Sequence, residues 1–544
     1  MVYPADQESA VFYNPVQVQN RDLSALMITL YVERRRRRIA MADKKKELRA
    51  NQIKGEELQQ QLDQYDKDMD VQQLIQADGE DKGIHILDAL AASGLRSIRY
   101  WKEVPGIQHV TINDLDPAAV ERAHANMEQN DLTNLVVTTR TRGIRIQHGD
   151  ATHEMYQSRR TPGLHDPTAL QSQQSDQYHV IDLDPYGSAA PFLDGAVQAI
   201  AGDGGMLNVT CTDMAALGGS HPETCYGRYG SLPLQRAAYL QEVAVRILLK
   251  SIAETAAKYG RTIRPILSVG MNFYIRCFVE VYDDKAGIND LSRQIGSIFQ
   301  SSHCPSFFTI PHGQHGKSKH VYQPTRAPSA CEETDAQFKV GGPLWLGPLH
   351  DRDVVLEALA KLGNRTHDTK FMATRERLEG LLTVVSEEIE VPLYYTVPDL
   401  CHVLNCCCPP VAQFKAAIVN AGYRVSGYHK EPQAIKTDAP NRVVWDVMRA
   451  WCKDNPPKIS KKKQKKLEAS VNAGGGAKQP SAAEKILAVE PSIEIDFTVP
   501  KVRHGKKVTR FPQNPEKNWG PMKAASGKRK REDAEETPAD KEAT

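Results

Sequence analysis

The segment Val180-Ile181-Asp182-Leu183-Asp184-Pro185-Tyr186-Gly187 sets a carboxylate and an aromatic ring at the end of an apolar run. Such a run reads as a buried strand, and the residues just past its end reach a rim. Asp184 can accept a hydrogen bond from a planar exocyclic amine, and Tyr186 can stack on the ring that bears it. Pro185 has no N–H and a fixed φ, so its carbonyl can point at the same amine. Together these groups suit methyl transfer to a base nitrogen. The competing reading is structural: a strand end followed by an aspartate that caps the next helix. Four residues alone do not decide between them.

The elements that must position this motif lie upstream. Ile84-His85-Ile86-Leu87-Asp88 reads as a buried strand, followed by a small-residue turn from Ala89 to Arg96 and a helix with Ile98, Trp101 and Val104 on one face. A second strand, His109–Asn113, ends in Asp114, where Rossmann-like sheets place a carboxylate for ribose hydroxyls. A third, Ile144–His148, runs into Gly149-Asp150-Ala151, and Asp150 can accept from an adenine amine. The acids Asp88, Asp114, Asp150 and Asp184 thus follow successive strands, at the edge where open α/β sheets bind ligands. No Gly-x-Gly-x-x-Gly diphosphate cradle is present. The ligand that fits is S-adenosylmethionine, an adenosine with a sulfonium and no phosphate. A fifth strand is predicted over Gly204–Thr210, a long helix over Leu232–Tyr259, and an antiparallel hairpin over Pro265–Val269 and Phe273–Val281. The expected fold is α/β: a Rossmann-like class I S-adenosylmethionine-dependent methyltransferase sheet, a smaller α+β C-terminal domain and a disordered basic tail.

Composition agrees with a soluble intracellular enzyme of two or three domains. The chain has 544 residues, 40% of them hydrophobic, and no stretch near 18 apolar residues that would span a membrane. The ten cysteines show no small-domain disulfide spacing and are expected to be free thiols. Cys304 and Cys331 with His303, His312 and His315 are the best zinc candidates, but no metal is expected. A net charge of +2 hides local asymmetry. Arg34–Arg38 close an amphipathic stretch carrying Leu23, Leu26, Met27, Leu30 and Tyr31. Five uncompensated charges repel one another unless an anion is near, so Arg35, Arg36 and their neighbours are expected to bind nucleic-acid phosphates. The expected organisation is a lead-in and helix (1–32), a charged helical insertion (33–80), the catalytic domain (81–289) with a polar surface loop over 152–177, a second domain (290–453), and a mostly disordered tail (454–544).

The whole set resembles the tRNA guanine-N2 dimethyltransferases that modify guanosine 26. Their Phe-Tyr-Asn-Pro and Asn-Arg-Asp signatures stand here as Phe12–Pro15 and Asn20-Arg21-Asp22, and their Asp-Ala-Leu-x-Ala-x-Gly-[LI]-Arg block as Asp88–Arg96. Asn113-Asp114, Asp182–Gly187, Gly342–Leu349 and His429–Pro440 match further blocks, and Asn514–Pro521 matches eukaryotic, fungal-type members. The resemblance implies that Arg21, Arg96, Asp114, Asp150 and Ala151 bind S-adenosylmethionine, with Arg21 meeting the methionine carboxylate. It implies that Asp184 is the catalytic acid and that the C-terminal domain grips tRNA. Some members carry a cysteine zinc cluster before the Gly-Pro-Leu-Trp block, of which this chain keeps only Cys331. Members usually also carry a segment before Phe-Tyr-Asn-Pro, so a truncated N-terminus is expected.

In the His429–Pro440 block two prolines stiffen a loop bearing Lys430 and Lys436, with Arg442 just beyond. A rigid cationic loop suits RNA backbone, so His429, Lys430, Lys436 and Arg442 are expected to contact tRNA. With Arg34–Arg38 this block would put positive charge on both sides of the Asp184 pocket. Lys458, Lys461–Lys463 and Lys465-Lys466, and again Lys528–Arg531, could be read by a nuclear import receptor, so a nuclear location is expected; the resemblance allows a mitochondrial pool as well. Two other readings stay open: a DNA amino-methyltransferase, which would not explain the Asn-Arg-Asp or Lys-Thr-Asp-Ala-Pro blocks, and an RNA-binding or tRNA-folding protein with a relict cofactor site.

Overall fold

The computed structural model describes residues 17–77, 83–159, 177–315, 322–363, 371–456, 479–500 and 508–512. Phe12–Pro15, the basic clusters at 458–466 and 528–531, and Asn514–Pro521 lie outside these residues, as does 160–176 of the expected surface loop. The chain opens with α1 (Val18–Ala50), α2 (Gly55–Asp68) and α3 (Val71–Ala77). Strands and helices then alternate: β1 (Ile84–Asp88), α4 (Leu95–Glu103), β2 (Ile107–Asp114), α5 (Pro117–Gln129), β3 (Gly143–His148), α6 (Ala151–Gln157), β4 (Val180–Leu183), α7 (Leu193–Ala199) and β5 (Asp203–Cys211). The short helices α8 (Met214–Leu217) and α9 (Pro222–Tyr229) precede α10 (Leu240–Ala257), and the hairpin β6 (Arg261–Met271) and β7 (Tyr274–Asp283) follows.

These strands form one sheet in the order β3-β2-β1-β4-β5-β7-β6. Strands β1 to β5 are parallel, and β7 runs antiparallel between β5 and β6. The strand order reverses between β1 and β4, which opens a crevice at their carboxyl ends. Strand β1 is buried along its length apart from His85, which explains its near-continuous apolar run.

The second half contributes α11 (Leu291–Gln294), β8 (Ile295–Ser301), β9 (Phe307–Pro311), β10 (Gly313–His315), β11 (Tyr322–Pro324) and β12 (Phe338–Trp345). Then come α12 (Arg352–Gly363), α13 (Arg375–Glu387), β13 (Tyr395–Thr396), α14 (Val397–Leu404), α15 (Val411–Asn420), β14 (Val425–Tyr428), β15 (Glu431–Thr437) and α16 (Asn441–Asp454). Two three-stranded antiparallel sheets, β12-β8-β9 and β13-β15-β14, organise this part. Trp445, Phe414 and Leu400 are fully buried at the centre of its core.

Three elements depart from the expected pattern for tertiary reasons. Helix α1 does not stop near residue 32, and Asp22–Val32 is buried on every side rather than along one stripe. The cause is a second layer: Val354, Val355 and Leu362 of α12 and Leu378 and Leu382 of α13 join Leu23, Leu26 and Ile28 in one core with the sheet. Each such side chain contributes roughly 1.5–3 kcal/mol when buried. Helix α10 starts at Leu240, not Leu232, because the backbone of Leu232 pairs with Gly342 of β12. The stretch 479–500, expected to be disordered tail, docks on the C-terminal domain. Its helix Ala482–Leu487 is closed by a Ser481/Glu484 capping box, Ile486 is fully buried, and Arg449 donates to the Ile486 carbonyl at 2.8 Å.

Candidate active site

Asp184 follows β4 at the carboxyl edge of the sheet, with its side chain 18% exposed. The Arg96 guanidinium, at the start of α4, donates directly to its Oδ2. Arg96 also donates to Ser24 Oγ of α1 at 3.1 Å. Ser24 takes a second donor, Arg276 of β7, at 2.8 Å. Arg276 in turn holds Asp182 through contacts of 2.9 and 2.7 Å, and Tyr100 OH donates to Asp182 at 2.6 Å. Asp182 and Arg276 are fully buried, so each charge is compensated by the other. Burial would raise the Asp182 carboxyl, but Arg276 and Arg96 outweigh it and hold it low. Its neighbour Asp88 is pushed up by burial and by the Asp182 charge. Sequence reasoning missed this support: the signal was a charge inside a strand that otherwise reads as buried, Asp182 in Val180–Leu183 and Arg276 in Tyr274–Asp283.

Pro185 is buried and Tyr186 is 64% exposed. The Tyr186 hydroxyl is pushed up to about 12, first by partial burial and then by the charges of Asp184 and Asp114. Asp114 accepts from the Ala92 N–H at 2.7 Å and the Asp116 N–H at 2.9 Å. It thereby fixes the small-residue turn, where Ala92 takes φ +49 and Gly94 φ +68. A Cβ at Gly94 would lie 3.3 Å from Ala123 Cβ, so with its left-handed φ this position favours glycine where the turn meets α5. Asp150 caps α6, with Oδ1 accepting from Thr152 and His153 N–H groups at 2.6 and 3.0 Å. The structural reading of an acid as a helix cap therefore applies to Asp150 and not to Asp184 or Asp114. Ala151 is buried at the first position of α6, where a backbone N–H has no helical acceptor.

The donor set fits S-adenosylmethionine. Carboxylates at the ends of β2 and β3 can take hydroxyl and amine hydrogens, and Arg96 can face a carboxylate. Tyr274 adds an independent sign: its hydroxyl is buried and has no hydrogen-bond partner among the described residues. Burial and then Asp184 raise that hydroxyl, while Arg276, Arg96 and Arg21 act the other way. Arg21, distant in sequence, is thus within electrostatic range of Tyr274. Asp22, beside it, accepts from the Thr374 N–H and hydroxyl at 2.8 and 2.6 Å, which pins α1 beneath α13.

The expected tRNA contacts need correction. Lys436 is buried; its Nζ lies 2.6 Å from Glu242 Oε2 of α10, so it joins the two domains and does not reach solvent. His429 is also buried. The Gly270 N–H donates to its Nε2 at 2.9 Å, and its Nδ1 lies 2.8 Å from Glu388 Oε1. Lys430 is half-buried and Arg442 exposed. The arginine run is compensated as well: Arg34 pairs with Glu357 at 3.1 Å, Arg35 with Asp203 at 3.0 Å, Arg37 with Asp66 and Arg38 with Tyr282 OH at 2.7 Å, while Arg36 is half-buried among them. Asp203 begins β5 and pairs with Tyr282, so Arg35 lies at the amino edge of the parallel strands, opposite Asp184. The arginine run thus does not flank the Asp184 pocket, whereas the His429 block does meet the carboxyl edge, at Gly270 of β6, with His429 and Lys436 buried.

His350, Glu388 and His429 have ligand atoms within 4.8 Å of one another. Their hydrogen bonds oppose a metal. Gly270 and Ser268 N–H groups donate to His429 Nε2 and His350 Nδ1, at 2.9 and 3.3 Å, which places the ring protons on the nitrogens facing Glu388. A metal there would require imidazolates. Cys304 and Cys331 are buried with sulfurs 3.7 Å apart, and among the described residues no third ligand joins them at metal spacing.

A hairpin-closed parallel sheet, an aspartate-proline-aromatic rim and a phosphate-free cofactor cleft define the class I methyltransferases that act on amino groups. The family model for N2,N2-dimethylguanosine tRNA methyltransferase matches residues 3–449. The Schizosaccharomyces pombe tRNA (guanine(26)-N(2))-dimethyltransferase is 37% identical over 97% of this chain and 92% of its own length. The mouse enzyme of that name is 37% identical over 96% of this chain and 75% of its own. A Saccharomyces cerevisiae relative named mitochondrial is 31% identical over 95% of this chain and 89% of its own. The solved structure of Trm1 from Pyrococcus horikoshii with S-adenosyl-L-methionine superposes with a TM-score of 0.59 at 26% identity, covering 82% of this chain and 96% of that one. The chain belongs to the N2,N2-dimethylguanosine tRNA methyltransferase family.

Proposed function

We propose that this chain transfers two methyl groups from S-adenosylmethionine to the exocyclic N2 amine of guanosine 26 in tRNA. The observation that carries the reading is Asp184 on the rim after β4, held by Arg96, with Tyr186 exposed beside it. S-adenosylmethionine supplies the electrophilic methyl group when bound. Arg21 and Arg96 would hold its carboxylate, Asp114 its ribose hydroxyls, and Asp150 with the Ala151 N–H its adenine edge.

A guanine amine is a poor nucleophile because its lone pair is delocalised into the ring. Hydrogen bonds from the amine to the Asp184 carboxylate and the Pro185 carbonyl favour sp³ character and aim the lone pair, so much of the rate comes from positioning. As the nitrogen gains charge, Asp184 stabilises it and takes the proton. After one transfer a single N–H remains for Asp184, which permits the second. The base lies inside folded tRNA and must flip out, and the Tyr186 ring offers a stacking surface. Lys430 and Arg442 remain tRNA contacts on this reading. Mass spectrometry of nucleosides, after incubating the purified chain with S-adenosylmethionine and unmodified tRNA, should show dimethylguanosine. A folded, cofactor-binding protein that leaves guanosine 26 unmodified would sink the proposal.

The lysine and arginine clusters at 458–466 and 528–531 are the proposed nuclear import signal. A tagged chain that stays nuclear after both are neutralised would reject that signal.

A further inference from the structure

The segment from Ser231 to Tyr239 runs between α9 and α10 at the carboxyl edge of the sheet. It is clamped on both sides. Leu232 N–H donates to the Gly342 carbonyl at 2.9 Å and Gly342 N–H returns a bond at 2.8 Å. Ser231 Oγ donates to the Pro343 carbonyl at 2.7 Å. Leu234 packs where glycines make room: a Cβ at Gly341 would lie 2.8 Å from Leu234 Cγ, and one at Gly219 would lie 3.1 Å from the Leu234 carbonyl. Ser231, Pro233 and Tyr239 are buried, whereas Gln235 and Arg236 project as an exposed tip.

Arg236 takes φ +57, a left-handed conformation disfavoured for a side chain with a Cβ. No hydrogen bond or ion pair engages it among the described residues. A guanidinium without a partner among the described residues, carried on a strained backbone in a clamped loop, is a preorganised anion contact. Lys339 is exposed on the neighbouring strand β12, Leu232 and Val340 are exposed nearby, and the Tyr226 ring on α9 is 58% exposed. Arg228 nearby is already paired, with Asp213 at 2.9 Å.

The tip shares its edge with Asp184. Thr212, just past β5, donates its N–H to the Gly187 carbonyl at 2.8 Å, and the Gly187 N–H donates to Thr212 Oγ1 at 2.7 Å. These bonds tie the end of β5 to the Asp-Pro-Tyr-Gly turn. An RNA delivering one base to Asp184 must lay its backbone across this rim.

We propose that Arg236, with Lys339 on the adjacent strand, grips the sugar–phosphate backbone of the tRNA at the entrance to the Asp184 pocket. The proposal rests on the tRNA reading above and assigns the grip to the carboxyl edge of the catalytic sheet rather than to the arginine run or Lys436.

Arg236→Gly separates grip from fold, because it removes the charge and relieves the left-handed backbone at once. In the full chain, this variant should melt at or above the wild-type temperature and bind S-adenosylmethionine unchanged by calorimetry. Filter binding of unmodified tRNA over a salt series should show about 5–10-fold weaker affinity and a log–log slope flatter by about 0.7–0.9, one phosphate contact. Arg236→Glu should weaken tRNA more, and Lys339→Gln should flatten the slope by a similar step. Wild-type affinity and slope in both Arg236 variants would overturn the proposal, and so would a lowered melting temperature in Arg236→Gly. A wild-type chain that modifies no guanosine 26 would instead refute the parent reading, whatever Arg236 does.

Discussion

Replacing Lys436 by methionine should destabilise the protein and leave its grip on tRNA unchanged. Lys436 Nζ and Glu242 Oε2 lie 2.6 Å apart, with both side chains at or below 2% exposure. Breaking a buried pair by removing one partner costs roughly 3–5 kcal/mol, because a charge stays behind without compensation. The lower end applies here. Glu242 Oε1 keeps the Arg246 Nε at 2.9 Å and the Leu393 N–H at 2.8 Å, so only Oε2 loses its donor. Methionine keeps most of the length and packing of the lysine stem. A loss of about 3 kcal/mol at roughly 2 °C per kcal/mol for a large chain lowers the melting temperature by about 6 °C. Because the pair joins α10 to β15, the C-terminal domain should loosen first. Differential scanning fluorimetry reads the shift, and filter binding across salt reads the RNA contact. The double variant Lys436→Met/Glu242→Gln should cost less than the two singles summed, since the charges leave together. A variant that melts like wild type but flattens the salt slope would refute the buried-pair reasoning and return Lys436 to the RNA interface.

Asp114→Ala should weaken S-adenosylmethionine binding by about 1–3 kcal/mol, and unchanged affinity by calorimetry would reduce Asp114 to a brace for the Ala89–Gly94 turn. Asp184→Asn should keep the fold and both ligands but lose most single-turnover rate, because an amide accepts less strongly and takes no proton; a near-normal rate removes Asp184 from the chemistry. Acid should destabilise the chain through two buried histidines: burial holds His109 down to about 4 and His179 down to about 3. Both lie below their ordinary range near 6.5, so the unfolded chain takes up protons first and stability falls as pH drops from about 6.5 to 4, at about 1.4 kcal/mol per pH unit for each such group. His109→Gln should make that fall shallower in urea titrations at stepped pH, and an unchanged profile would mean that the ring titrates alike in the folded and unfolded chain.

The sequence by itself determined the catalytic sheet. Its strands are short apolar runs of period two or continuous burial, and each ends at a turn that carries an acid, so local pattern suffices to place Asp114, Asp150 and Asp184 at one edge. The motif on which the proposed chemistry rests is equally local, because Asp184, Pro185 and Tyr186 are adjacent in the chain. Tertiary structure alone decided what surrounds them. Arg21 and Arg276 lie far along the chain from Asp184, and no periodicity links them to it. The charge of a residue likewise says nothing of its partner: Lys436 and Arg35 look like RNA contacts until Glu242 and Asp203 are seen beside them. Arg236 is the converse. It was hidden inside a stretch that reads as helix, and the β12 backbone at Gly342 holds Leu232 out of the helix, leaving the arginine exposed on a rigid loop. Local propensity acts over a few residues, whereas ion pairing and strand capture act across space between segments more than a hundred residues apart.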